Sequence, residues 1–263
     1  MPQPLALAIV GWAMVAVLMT TIWLWHLRLR NVGVVDVGWT ASLAALACLY
    51  AFEGPGLALR RGVMAAMIVL WGTRLCVYLL RDRVRGRLED PRYTDLRARA
   101  SWAAAGSFFP FFQAQALLAV ILSLPALLAA FNPAPRVSAL EWGAVGLWAV
   151  ALAGEAIADR QLETFKAAAP SRGRTFQGGL WRYSRHPNYF FEWLVWVAYA
   201  VFALASPWGA VALVCPAIML YLLFRVTGIP ATEAQALRSR GDDYRRYQQT
   251  TSAFVPWPPR RLS

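Results

Sequence analysis

The first long apolar stretch, "PLALAIVGWAMVAVLMTTIWLWH" from Pro4 to His26, contains no Asp, Glu, Lys or Arg. A helix needs about 20 mostly apolar residues to cross the hydrocarbon core of a bilayer, and this stretch is long enough. It has no basic leader and no small-residue cleavage site, so it is expected to stay in the mature protein. Comparable runs recur at roughly 34–52, 62–80, 111–131, 139–158, 189–206 and 208–226. The composition agrees, with 59% of the 263 residues hydrophobic and only 15% charged. The expected fold is an all-α integral membrane protein, with about seven transmembrane helices in one bundle, polar loops and a C-terminal helix outside the membrane.

The net charge of +12 is unevenly placed. Two arginines lie between spans 1 and 2, seven between spans 3 and 4, six basic residues between spans 5 and 6, and seven from Arg225 onward. The opposite side carries only Arg60, Arg61 and Arg136, and Arg74 lies inside span 3. The positive-inside rule therefore puts the N-terminus outside and the loops and C-terminal helix in the cytoplasm. Orientation and lipid headgroups account for much of this charge. Nucleic acid is disfavoured, because no binding motif accompanies arginines that sit beside the membrane. Cys48, Cys76 and Cys215 fall in apolar runs without paired spacing, and His26 and His186 are the only histidines, so neither a disulfide framework nor a metal site is expected.

The polar loops hold most of the motifs. Residues 81–110 mix arginines, acids and aromatics, and read either as an interfacial amphipathic helix or as a lid over a site. The segment 159–187 is too polar to span and includes "SRGRTFQGGLWRYSRHP", in which Gly178 and Gly179 permit positive φ for a turn or for close approach to a ligand. After span 7, Pro230 suits a helix start and Thr232 a helix cap.

Ionisable groups inside spans are expensive and so mark candidate sites. Asp36 opens span 2, Arg74 lies in span 3, Glu155 and Asp159 end span 5, and Asn188 and Glu192 begin span 6. The four-residue spacing of the last two pairs puts each on one helical face. The alternative to a functional role is that Arg74 pairs with a carboxylate of a neighbouring span and that the acids at the helix ends reach water. Arginines on the same side, among them Arg83, Arg85, Arg174 and Arg185, offer forked donors suited to phosphate. Together these groups suit a dinucleotide, held by helix faces and loops because no GxGxxG fingerprint is present.

The run "GGLWRYSRHPNYFFEW" and the tail "SRGDDYRRYQQTTSAFVPW" resemble the C-terminal region of the membrane steroid 5-alpha-reductase family, most closely its bacterial branch of uncharacterised members. Sterol C14 reductases carry a similar motif, and isoprenylcysteine carboxyl methyltransferases share a more distant one. The resemblance is strong from Glu155 onward and otherwise limited to span layout and "RLCVYLLRDR". It implies one membrane domain over residues 1–263, with spans 1 to 4 (1–135) on the lipid-substrate side and 136–263 binding NADPH. It assigns Asn188 and Glu192 to the nicotinamide end, Glu155 and Asp159 to the adenosine side, and Lys166 and Arg174 to phosphates. Tyr78, Arg83, Arg85, Tyr183, Arg185, His186, Tyr189, Glu233 and Tyr244 complete the cofactor set. The chain departs from the family in lacking its Gln-Glu pair. Trp71 stands where a catalytic Tyr is expected, and Glu233 and Leu237 stand at the spacing of a His and a Tyr.

The activity expected is NADPH-dependent reduction of a carbon–carbon double bond in a membrane-soluble lipid, such as a steroid, a sterol or another enone or alkene. Such chemistry needs an acid in an apolar cavity, where desolvation favours the protonated carboxyl. Asp36 is the candidate for that acid, its alternative role being to cap span 2. The competing readings are an S-adenosylmethionine-dependent lipid or isoprenylcysteine-type methyltransferase, and a lipid-binding or structural membrane protein. The expected location is the bacterial inner membrane.

Overall fold

The computed structural model describes residues 3–29, 31–81, 108–168, 173–226 and 228–260. Every regular element among them is helical. In chain order these are α1 (Pro4–Leu29), α2 (Val34–Glu53), α3 (Ala58–Leu79), α4 (Phe109–Leu122), α5 (Leu124–Ala130), α6 (Ala139–Ala167), α7 (Pro187–Ala203), α8 (Val214–Tyr221), α9 (Ile229–Arg240) and α10 (Asp242–Thr250). Short 3₁₀ turns at Gly179–Arg182 and Gly209–Leu213 and a π turn at Leu222–Val226 complete the elements of the described residues.

Among the described residues five helical runs are long and apolar enough to cross a membrane: α1, α2, α3, α6 and the run Gly209–Arg240. The pair α4 and α5, bent by 41° where Pro125 enters, makes a sixth. Helix α7, the sixth of the seven stretches expected from the sequence, has 17 residues, at the lower limit for a span. The apolar part of the Gly209–Arg240 run is its first portion. Helix α9 carries Glu233, Gln235, Arg238 and Arg240, and is too polar for hydrocarbon.

The surface of α1 identifies its surroundings. Leu7, Gly11, Val15 and Met19, spaced every four residues, are buried, whereas Leu5 and Val17 are 71% and 68% exposed. An apolar outer face is what lipid stabilises and water does not, so this is an integral membrane protein.

The chain forms two compact units. The first comprises 1–142 and 199–215, the second 143–198 and 216–263. In the first, α2 packs against α1, α3 and α4. Arg60 of α3, fully buried, gives its Nε to Glu141 Oε1 at 2.5 Å and a terminal nitrogen to the Ala134 carbonyl at 2.7 Å. Glu141 in turn accepts from the Ser138 amide at 2.6 Å while its own amide donates to Ser138 Oγ at 3.3 Å. This reciprocal capping box starts α6.

In the second unit α6 runs through Ala167, past the apolar stretch ending near residue 158. The polar segment read from the sequence as loop thus begins as helix. At about 1.5 Å per residue the 29 residues of α6 reach about 43 Å, longer than a hydrocarbon core of about 30 Å. Its last turns, from Asp159 on, therefore extend beyond the apolar layer.

Candidate functional site

Most of the candidate residues lie in the second unit. Helix α7 begins at Pro187, a favoured first helical residue because its missing amide proton is not needed there. Ser184 Oγ accepts from the His186 amide at 3.1 Å and donates to the Phe254 carbonyl at 2.7 Å, which ties the helix entrance to the C-terminal segment. The first turn of α7 then aims Asn188 at α6, where its amide donates to Asp159 Oδ1 at 3.3 Å. Asp159 is 8% exposed and Glu155, one turn earlier on the same face, 3%. The two four-residue pairs seen in the sequence thus meet through Asn188 and Asp159. Close approach of the helices is possible because residue 154 is glycine: a Cβ there would lie 2.5 Å from the Phe191 ring.

Beside this pair a second cluster centres on Glu233 of α9. Its Oε1 accepts from Arg185 Nε at 2.7 Å, from Tyr244 OH at 3.4 Å and meets His186 Nε2 at 3.3 Å; its Oε2 accepts from Gln248 Nε2 at 2.8 Å. Burial raises the Glu233 pKa, but hydrogen bonds from His186, Arg185 and Gln248 and the Arg185 charge outweigh it and hold the carboxyl at about 2. Burial and the neighbouring Glu233 charge push the Tyr244 phenol up, so it stays a donor. Arg185 also spends Nη1 on the carbonyls of Gln248 and Thr251, at 3.0 and 2.6 Å. His186 stacks flat on Tyr189 at 5.4 Å, and Tyr189 OH lies 3.2 Å from Thr232 Oγ1. Arg185, His186, Tyr189, Glu233 and Tyr244, each singled out in the sequence, are therefore brought together, chiefly by bonds to one another.

The remaining candidates are divided between the two units. Glu192 is half-buried on α7, whereas Lys166, Arg174 and Tyr183 are exposed. Trp71 is fully buried in the first unit, edge-on to Trp39 and Tyr199 at 6.1 and 6.4 Å. Asp36 sits in the first turn of α2 and Tyr78 in the last turn of α3, both half-buried. The N-cap of α2 is Gly33, held by Asn31 Oδ1 at 2.8 Å, so Asp36 does not cap the helix but favours its positive end. Arg83 and Arg85 lie outside the described residues.

Two sequence readings are corrected. Of the adjacent glycines only Gly179 has positive φ, +55°, and a Cβ there would fall 2.4 Å from the Gln161 amide, not on a ligand-facing surface. Gln161 Oε1 accepts from the Leu180 amide at 3.0 Å, fixing the turn. Thr232 is not the cap of α9; its hydroxyl donates back to the Gly228 carbonyl, and Gly228 holds the N-cap position. Sequence reasoning missed Gln161, Ser184, Tyr247 and Gln248. Tyr247 OH donates to the Ser184 and Trp181 carbonyls, closing the turn over α6. Only the four-residue step from Tyr244 to Gln248 marked any of them.

Among the described residues no group of three or more His, Cys, Asp or Glu is placed to hold a metal ion. No solved structure matches the chain. An uncharacterised protein of Schizosaccharomyces pombe is 28% identical over 229 residues, covering 75% of this chain and 65% of the relative. The chain thus spans just under two thirds of that protein's length. Residues 22–251, most of the chain and all of the second unit's clusters, match the protein family of unknown function DUF1295, and the chain belongs to that family.

Proposed function

We propose that this protein is a membrane oxidoreductase that reduces a carbon–carbon double bond in a membrane-soluble lipid with NADPH. The observation that carries the reading is the Asn188–Asp159 contact at the point where α6 leaves the apolar layer. An amide and two nearly buried carboxylates there offer donors and acceptors that match ribose hydroxyls and a carboxamide. Lys166, Arg174 and Arg182, exposed beyond them, match phosphates. The residues present thus fit a phosphorylated dinucleotide, and the resemblance to membrane steroid reductases supports the same assignment.

NADPH supplies the hydride. The chain's own residues hold and orient: Asn188 and Asp159 are set by their mutual bond, Glu155 and Glu192 extend the two faces, and the Glu233 cluster fixes the entrance of α7. Asp36 is the proposed proton donor to the lipid. The uneven basic residues support a cytoplasmic position for the cofactor end and residence in a bacterial inner membrane.

Mass spectrometry of protein purified in mild detergent tests this reading. Retained NADP(H), lost in Asn188→Ala, is the expected result. Retained S-adenosylmethionine would overturn it in favour of methyl transfer.

A further inference from the structure

A cavity of about 300 Å³ lies in the second unit between the end of α10 and the segment that follows it. Arg185, Gln248, Thr250, Ser252, Trp257 and Arg260 contribute to its lining, which among the described residues contains no carboxylate. Its volume is at the lower end for ligand pockets and suits a headgroup-sized ligand rather than a dinucleotide. Arg185 is neutralised in part by Glu233, so exposed Arg260 supplies the net positive charge.

The segment forming one wall is firmly placed. Arg185 and Trp257 donate their amides to the Ser252 and Tyr183 carbonyls at 2.8 and 2.9 Å, and the Arg260 amide donates to Thr250 O at 2.8 Å. Phe254 points inward, ring to ring with Phe190, Trp193 and Phe224 at 5.1 to 5.9 Å. Phe224 belongs to the turn that ends the apolar part of the last span. The segment is thereby held at the boundary of the hydrocarbon, and its outward residues are Val255, 53% exposed, and Trp257, 67% exposed. An apolar pair in which one member is Trp is what the membrane interface favours, and water does not.

We infer that this cavity binds a phosphate ester, and that Val255 and Trp257 place it to take the headgroup of an anionic phospholipid from the surrounding leaflet. Arg260 provides the charge, Arg185 and the hydroxyl of Ser252 provide hydrogen-bonding groups, and Trp257 lies along the lipid backbone. This site is distinct from the Asn188–Asp159 contact and does not depend on the reductase reading.

Thermal unfolding of the full chain in detergent, with added short-chain lipids, tests the inference, because a ligand of the folded state raises Tm. Dioctanoyl phosphatidylglycerol is expected to raise Tm by a few degrees, and dioctanoyl phosphatidylcholine to have little effect. Arg260→Gln is expected to weaken the phosphatidylglycerol response about tenfold in ligand concentration, whereas Arg245→Gln, on the outer face of α10, leaves it unchanged. Ala253→Glu, which adds a carboxylate to the lining, is expected to abolish the response without removing an arginine. An equal Arg260-dependent rise with inorganic phosphate alone would assign the same site to a soluble phosphate. Equal responses to both lipids, a full response in Arg260→Gln, or an Arg260-dependent response to NADPH in place of phosphatidylglycerol would overturn the inference.

Discussion

Arg60 and Arg185 each meet a glutamate, in different units and in different surroundings. The side chains of Arg60 and Glu141 are 1% and 0% exposed, and the remaining donors of Arg60 go to carbonyls of the loop before α6. Arg185 and Glu233 are 11% and 16% exposed, share their bonds with His186, Tyr244 and Gln248, and border a cavity. A charge pair closed on every side holds chain segments together and has no room for a ligand. A pair with one open edge holds its segments and still presents a charged group to whatever approaches.

Breaking the closed pair has the largest expected effect. Glu141→Gln leaves the Arg60 charge uncompensated and also disturbs the capping box, so a loss of about 3–5 kcal/mol is expected in denaturant unfolding in detergent. A loss below about 1 kcal/mol would mean that water reaches Arg60, and the contrast between the pairs would disappear.

The open pair is expected to respond to pH. Glu233 has a folded-state pKa of about 2 against its ordinary 4.5, so the deprotonated form is stabilised by folding. Its contribution is complete above pH about 4.5 and is lost as pH falls toward 2. Thermal scans across that window should show a smaller acid loss in Glu233→Gln, which at neutral pH is destabilised by about 2 kcal/mol. An identical acid profile in the variant would remove Glu233 from the centre of the cluster.

Two smaller changes sharpen the comparison. Gly179→Ala forces a Cβ into positive φ and onto Gln161, with an expected cost of about 1–2 kcal/mol in the same unfolding measurement. Arg245→Gln removes an ion pair with Asp242 whose side chains are 69% and 81% exposed, and no measurable change in Tm is expected.

Much of the fold was legible in the sequence because hydropathy over a span is a sum of local terms. A run such as Pro4–Leu29 has to be helical in lipid, where each backbone polar group needs an internal partner. The four-residue spacing of Glu155 with Asp159 and of Asn188 with Glu192 was legible for the same reason, since a helix fixes which residues share a face. The continuation of α6 through Ala167 was not, because its polar part is anchored by contacts of Ala158 and Gln161 with residues 180–181 and of Phe165 with Phe176, and not by its own composition.

What only the tertiary structure decided is which groups meet. Asn188 finds Asp159 across 29 positions and Arg185 finds Glu233 across 48, and no local pattern encodes either pairing. The same holds for Gly179, whose positive φ serves Gln161. The sequence by itself determined that this chain lies in a membrane, in helices, with polar side chains at the start of α7. The packing of α6, α7, α9 and α10 decided which of those side chains are spent on each other and which stand at an open edge, because partners distant in sequence are set by side-chain shape and burial, not by periodicity.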